Sequence, residues 1–539
     1  MHTDARTLAA NTILRADVCI IGAGAAGLTL AQALHGSPLS VCLLESGGFQ
    51  GDPHTQFLYH GLHIGQPDHA LAAARLRFFG GATNHWDGFC SRLDPIDLVE
   101  RPWVPYSGWP INWEDLAAHY PAAHAVCDLG PYTYAVDDWE APAQGYGRLP
   151  FAPNRLETKI YQFSPPTRFG AKYRTLIERS KNIHLFTNAN VVRLAHHATG
   201  GHLTGVDVAT LEGTRLHVQA QQYVLACGGV ENARLLLASN DVIPAGVGNE
   251  HDTVGRFFIQ HPHVQTGTVL LDDRRTNIGL YREHEQHKTP IRALLRLADA
   301  VQRREQTLNY SVSLADQGGT ESGYVSARSI AHWIKDGTLG TAYGEALLNA
   351  LSDFDALIYG LNQNMLGQHV KTPRMFHLKT RLDQAPNPHS RVILDHAHTD
   401  ALGMPRVLAD WQLTALDRHT LRVANDVLAQ ELARTGMGRL VAPPWICTDD
   451  AWPEGMTGGY HHMGTTRMTE DPTQGVVDAN ARLHTVDNLY VAGSSIFTTA
   501  GCANPTLTIV ALTLRLADHL HAVVRPERPS LTAHTPPSP

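Results

Sequence analysis

At 539 residues the chain exceeds the size at which one hydrophobic core stops growing, so at least two structural units are expected. Hydrophobic residues make up 43% and charged residues 17%, the usage of a globular protein and not of a disordered or fibrous one. A formal net charge of -8 without any dense Lys/Arg run argues against a nucleic-acid footprint and a polybasic membrane patch, leaving a small molecule as the expected partner. The seven cysteines, Cys19, Cys42, Cys90, Cys127, Cys227, Cys447 and Cys502, form no CxxC pair, so neither a disulfide framework nor a zinc, haem or iron-sulfur site is indicated. No apolar run reaches the roughly 18 residues of a membrane span, and the first residues hold no secretory apolar core. A cytoplasmic location is expected, with export on a signal-bearing partner as the alternative.

In chain order, DVCIIGAGAAGLTLAQAL from Asp17 reads as buried strand, glycine turn and helix, and SVCLLESGG as a second strand. Further on, HLFTNANVVRL, HLTGVDVATL and RLHVQAQQYVLACGG read as strands, followed by a helix from Glu231 to Ala238. Near the end, NLYVAGSSIF reads as a strand running into a loop, and NPTLTIVALTLRLADHL as a helix begun by Pro505, whose missing N–H costs nothing at a helix start. The stretches 111–181 and 263–457, rich in Trp, Tyr, His and Pro, read as a second domain built from insertions. The Pro- and Ser-rich tail, residues 526–539, has almost nothing to bury and is expected to be disordered.

In GAGAAG, Gly22 permits the tight turn, Gly24 lets the backbone approach a pyrophosphate, and Gly27 lets the helix pack closely on the strand. The helix start then faces phosphate charge. Glu45 ends the second strand, where a carboxylate can accept from ribose hydroxyls. The order strand, turn, helix, strand, acid predicts a dinucleotide site but does not separate NAD from FAD.

Four separated segments resemble the glucose-methanol-choline (GMC) oxidoreductases: GAGAAG with Glu45; FGGATNHWDGF at Phe79 to Phe89, similar to the family's glycine-rich flavin loop; YVLACGGVENARLLLAS at Tyr223 to Ser239, followed by VGRFFIQHP; and the C-terminal YHHMGTTRM with NLYVAGSSIFTTAGCANPTLTIVAL. The resemblance implies an α/β chain with α+β elements: a discontinuous Rossmann-like FAD-binding domain (1–110, 182–262 and 458–525) and a substrate-binding domain with an antiparallel sheet (111–181 and 263–457). It implies FAD held by Gly22, Gly24, Ala25, Ala26, Gly27, Glu45 and Ser46; by Gly80, Gly81, Thr83, Asn84, His85 and Trp86; by Val191, Ala226 and Gly228; and by Gly493, Ser494, Asn504, Pro505 and Thr506. The catalytic pair it implies is His461 and Asn504. GGATNHW also resembles the pyranose oxidase loop in which a histidine bonds to the flavin, a position occupied by His85, although the neighbouring residues differ.

The chemistry suits these residue types. An alcohol C–H is a poor hydride donor until the hydroxyl proton is leaving, and a neutral imidazole is a suitable base near pH 7. An amide can donate to the same oxygen and steady its developing charge. With 32 histidines in the chain, His461 stands out through its motif alone. His462 reads as shaping the loop or pocket. His261 and His263 lack a third ligand at a metal-site spacing and read as packing near the flavin domain boundary. Asn504 has a second reading, as a helix N-cap. Trp103, Trp109, Trp113 and Trp139 read as sugar-stacking surfaces or as core.

Likeness to bacterial sugar and glycoside dehydrogenases and pyranose oxidases favours oxidation of a secondary hydroxyl of a sugar, glycoside or polyol. The alternatives are a choline-like or aromatic alcohol, or a flavin-dependent lyase of the same fold. Dioxygen, a quinone or a carrier protein would accept the electrons, and a homo-oligomer or a small accessory subunit is compatible with the chain.

Overall fold

The computed structural model describes residues 1–271, 276–316, 375–448 and 451–526. The tail expected to be disordered lies, from residue 527 on, outside the described residues, as does part of the second inserted stretch. The first apolar runs form β1 (Thr12–Ile21), α1 (Ala25–Ala33) and β2 (Val41–Leu44). Val18, Cys19 and Ile20 of β1 are fully buried, as in a parallel strand covered on both faces. β1 pairs in parallel with β2 on one side and with β3 (Arg215–Leu225) on the other. The strand Leu489–Val491 joins β3 in parallel, while the hairpin Asn190–His196 and Leu203–Ala209 closes that side antiparallel. This eight-stranded sheet therefore gathers both ends of the chain and its middle.

A helix, α2 (Glu231–Ala238), follows β3 as the sequence predicts. Its Arg234 is nearly fully buried and donates to the Asp400 carboxylate at 2.7 Å and to the Leu58 carbonyl at 3.0 Å. That ion pair ties the parallel sheet to the hairpin of Arg391–Thr399 and Pro405–Asp410.

The second sheet, also of eight strands, is antiparallel throughout. Its middle is formed by β4 (His263–Leu271), β5 (Tyr310–Asp316) and β6 (Met375–Leu382), with Leu156–Phe163 and Phe89–Cys90 toward one edge. Along β6 the side chains alternate: Phe376, Leu378, Thr380 and Leu382 are buried, whereas His377, Lys379 and Arg381 point to the other, half-open face. The buried face packs with α3 (Ala415–Thr435), whose Leu421, Leu428 and Leu432 share a core with Val264 and Leu378. A Thr414–Asp417 capping box opens that helix, and Gly436, at φ +65°, closes it. The last helix, α4 (Thr506–Val523), packs against α1 and brings the C-terminal motif beside the N-terminal turn.

Removing Arg234 would strand the buried Asp400 carboxylate, whereas Glu231 would keep Arg75 and Arg77. Arg234→Ala is expected to destabilise the protein by about 3–5 kcal/mol, read by chemical denaturation; a loss under about 1 kcal/mol would show that water reaches Asp400 instead.

Candidate active site

A cavity of about 610 Å³ opens at the C-terminal ends of β1, β2 and β3, where open α/β sheets offer a crevice to ligands. Gly22 lies at φ +104°, and a Cβ there would sit 2.7 Å from the Ala226 carbonyl oxygen, so the turn tolerates no larger residue. Gly24 faces open space, and no side chain caps α1, leaving first-turn amides free to face the cavity. Ala25, Ala26, Glu45 and Ser46 line the same end. Gly27 lines nothing; a Cβ on it would strike the Gly22 carbonyl, so it serves the close packing of helix on turn.

Glu45 accepts from the amides of Ala23 and Gly47, both at 2.9 Å, and burial pushes its carboxyl up. These bonds hold the loop, and the remaining lone pairs still face the cavity. The second motif lies directly over the first, with the Gly80 amide donating to Ala23 O at 2.9 Å. Gly81, Thr83, His85 and Trp86 line the cavity, while Gly80 and Asn84 shape the turn behind it, the Asn84 amide donating to Phe79 O at 3.0 Å. Burial, then Arg168, lowers the His85 pKa to about 4. Val191, Ala226, Gly228, Gly493, Ser494, Asn504, Pro505 and Thr506 complete the lining contributed by the sequence motifs.

At the far end, His461 and Asn504 meet, Asn504 Nδ2 lying 3.4 Å from His461 Nε2. Pro505 is the residue before α4 and no side chain caps that helix, so the capping role considered for Asn504 is not realised. Its Oδ1 is buried without a partner among the described residues. The loop that carries Asn504 is pinned from below: Trp109 Nε1 donates to Thr499 Oγ1 at 2.9 Å, Tyr161 Oη to Cys502 O at 2.8 Å, and Ala500 N to Asp383 Oδ1 at 3.2 Å.

Sequence reasoning missed His261. Its Nδ1 is 2.8 Å from His461 Nδ1 and its Nε2 is 3.0 Å from the Gly501 carbonyl oxygen. A carbonyl only accepts, so His261 Nε2 carries the proton. A neutral His261 then has its lone pair on Nδ1, and His461 Nδ1 must be the donor across the 2.8 Å contact. His461 is left with its lone pair on Nε2, facing Asn504. Burial, followed by the charges of His261, His263 and Arg381, holds His461 well below the usual imidazole range, and burial lowers His261 to about 4. Both rings are thus neutral at pH 7. The only signal for His261 was its place in QHPH, which spacing alone cannot distinguish from a core histidine.

His462 lines the cavity, and its carbonyl accepts from Ser494 Oγ at 2.7 Å, in keeping with a shaping role. Also lining the cavity, and not anticipated, are Arg75, Arg77 and Glu231, which pair with one another. The four tryptophans are elsewhere: Trp109 and Trp139 are core, Trp103 donates to Thr307 O, and Trp113 packs against the core that holds β1 and α1, so none lines the cavity. No cluster of three metal-ligating side chains occurs among the described residues, and no described helix is long and apolar enough to cross a membrane.

Two family models match: FAD dependent oxidoreductase over residues 17–253 and GMC oxidoreductase over 386–513. The chain thus carries an FAD dependent oxidoreductase domain followed by a GMC oxidoreductase domain. It is similar to the fructose dehydrogenase large subunit of Gluconobacter japonicus, 23% identical with 94% of this chain and 98% of that one covered. It is also similar to the 6'''-hydroxyparomomycin C oxidase of Streptomyces lividus, 26% identical over 94% and 92%. The fold is that of pyridoxine 4-oxidase from Mesorbium loti, at 19% identity and a TM-score of 0.55, covering 94% of this chain and 99% of that one. With those two domains the protein is an FAD-dependent oxidoreductase acting on CH–OH groups. Its residues fit that cofactor: an open glycine and uncapped amides suit a pyrophosphate, and a buried acid lies where a ribose would reach it.

Nitrogen-15 NMR of histidine-labelled protein at pH 7 is expected to show His461 protonated on Nδ1 alone. A His461 carrying its proton on Nε2 would overturn the relay from Gly501.

Proposed function

We propose that the protein oxidises a secondary hydroxyl of a sugar, glycoside or polyol to the ketone, with His461 as the base and Asn504 as the donor to the same oxygen. The observation that carries this reading is the 3.4 Å approach of Asn504 Nδ2 to His461 Nε2 in a cavity that also reaches the GAGAAG turn. An alcohol oxygen seated beside the pair, within hydrogen-bond reach of both atoms, accepts from the amide and donates to the imidazole, which orients its C–H bond and meets growing negative charge with a dipole already in place. When bound, FAD supplies the two-electron acceptor for the hydrogen on that carbon. After His461 takes the hydroxyl proton, its Nδ1–H still donates to His261 Nδ1, so part of the charge is shared toward the Gly501 carbonyl. His261 touches no reacting atom and is a positioning residue.

The residues we assign to FAD are those named above as cavity lining from the four motifs, with Gly27, Gly80 and Asn84 shaping the turns. In this reading residues 1–110, 182–262 and 458–525 form the FAD unit, and 111–181 and 263–457 the substrate unit, to which Phe89–Cys90 lends an edge strand. The names of the fructose and hydroxyparomomycin relatives support a polyhydroxy substrate, and the Gluconobacter relative's being a large subunit supports an accessory chain. Seven unpaired cysteines support the cytoplasmic location.

Anaerobic mixing of FAD-loaded protein with sugars, glycosides, polyols, choline and aromatic alcohols is expected to bleach the flavin with the first three classes. In His461→Ala the rate at saturating substrate should fall by about 10²–10⁴ with FAD retained; an unchanged rate removes His461 from the mechanism, and a flavin that no alcohol bleaches favours the lyase alternative. Because the folded pKa of His461 is depressed, its base form is lost only as pH falls through that lowered value. The acid limb of the reduction rate should therefore lie below pH 6.5, and a limb at or above 6.5 would contradict the buried neutral ring.

A further inference from the structure

We propose that Arg381 makes the substrate pocket an anion site, so that the preferred alcohol carries a carboxylate. The inference rests on the alcohol-oxidising reading above and concerns the substrate class of that same site. Arg381 lines the cavity together with His461, His263 and Asn504. It lies on β6 directly across from His263 on β4 and from Ser311 on β5, so its side chain leaves the sheet on the face turned toward His461. Its Nε and Nη1 are buried without a hydrogen-bond partner among the described residues, and the contact its head makes there is with the ring face of Phe89, 4.7 Å from the centroid.

That isolation is informative because five other buried guanidinium groups are neutralised, while a sixth, Arg467, lies over the Phe257 ring without an ion pair among the described residues but donates to the Tyr106 carbonyl. Arg75 and Arg77 pair with Glu231, Arg101 with Asp383, Arg234 with Asp400, and Arg296 with Asp94 and Glu157. Guanidinium atoms turned from water without a counter-ion are unfavourable, and an aromatic face recovers only a fraction of that loss. A hydroxyl offers neutral hydrogen bonds, whereas a carboxylate offers opposite charge and a planar pair of acceptors matched to the guanidinium. Lys379, two residues along the same strand face, forms no ion pair among the described residues and adds positive charge beside the pocket. The same charge disfavours cationic alcohols of the choline type, which would place like charge against Arg381.

The test uses the FAD-loaded full chain and two matched alcohols that differ only by a carboxylate in place of CH₂OH, methyl glucoside and methyl glucuronide. Anaerobic flavin reduction by the glucuronide should be at least about tenfold more efficient in the wild type, a difference of the size one charge-assisted bond supplies. Arg381→Gln should lose about 100-fold or more on the glucuronide and less than about threefold on the glucoside. In parallel, acetate is titrated as a non-reacting probe and followed by the flavin absorption spectrum. Saturable perturbation is expected in the wild type and in His461→Ala but not in Arg381→Gln.

A wild type that prefers the glucoside, or shows no acetate perturbation, overturns the proposal while leaving alcohol oxidation intact. Equal losses on both substrates overturn it in favour of a role toward the flavin or the fold. Acetate binding in a protein that no alcohol reduces would instead support the anion site and remove the oxidation reading.

Discussion

An imidazole that stays neutral while buried is the constraint on which the rest of the site depends. Burial alone would leave the tautomer of His461 undecided, and a proton on Nε2 would turn a base into a donor. The carbonyl of Gly501 settles it at one remove: it admits only a donor, which forces the lone pair of His261 toward His461 and the lone pair of His461 toward Asn504. The chain of three contacts costs little, because each group has a partner of opposite character. The hydrogen bonds under the loop 499–504 matter for the same reason, since they fix where that carbonyl and that amide lie.

The two sheets divide the work. The parallel sheet ends in loops, and its strand ends present backbone amides and close-packed glycines to one end of the cavity, a surface suited to phosphate and ring systems rather than to discrimination among alcohols. The antiparallel sheet buries one face on α3 and turns the other toward His461, so residues at the cavity end of β4 and β6 are available to meet substrate. His263 and Arg381 are such residues. Selectivity can therefore change on that face without disturbing the turn proposed to hold the cofactor.

Much of the fold was legible because its signals are local. A buried parallel strand is a continuous apolar run, a tight turn against a neighbouring strand needs glycine at Gly22, and a helix after Pro505 has a favourable start, so β1, α1, β2, β3, α2 and α4 follow from patterns within about twenty residues. The pair His461 and Asn504 was reached through motif resemblance, and their contact could not have been read from a separation of 43 residues. Aromatic composition left Trp109 and Trp139 as sugar-stacking surfaces or as core, because composition carries no direction, and both are core.

The sequence by itself determined the dinucleotide turn, the parallel strands around it and the residue types available for alcohol chemistry, because each rests on steric or hydrogen-bonding needs met between near neighbours. Only the tertiary structure decided that His261, 200 residues from His461, selects its tautomer, and that Arg381 stands in the cavity without a counter-ion among the described residues. Both are outcomes of strand register and burial. Those properties belong to pairs of segments far apart along the chain, and no single segment encodes them.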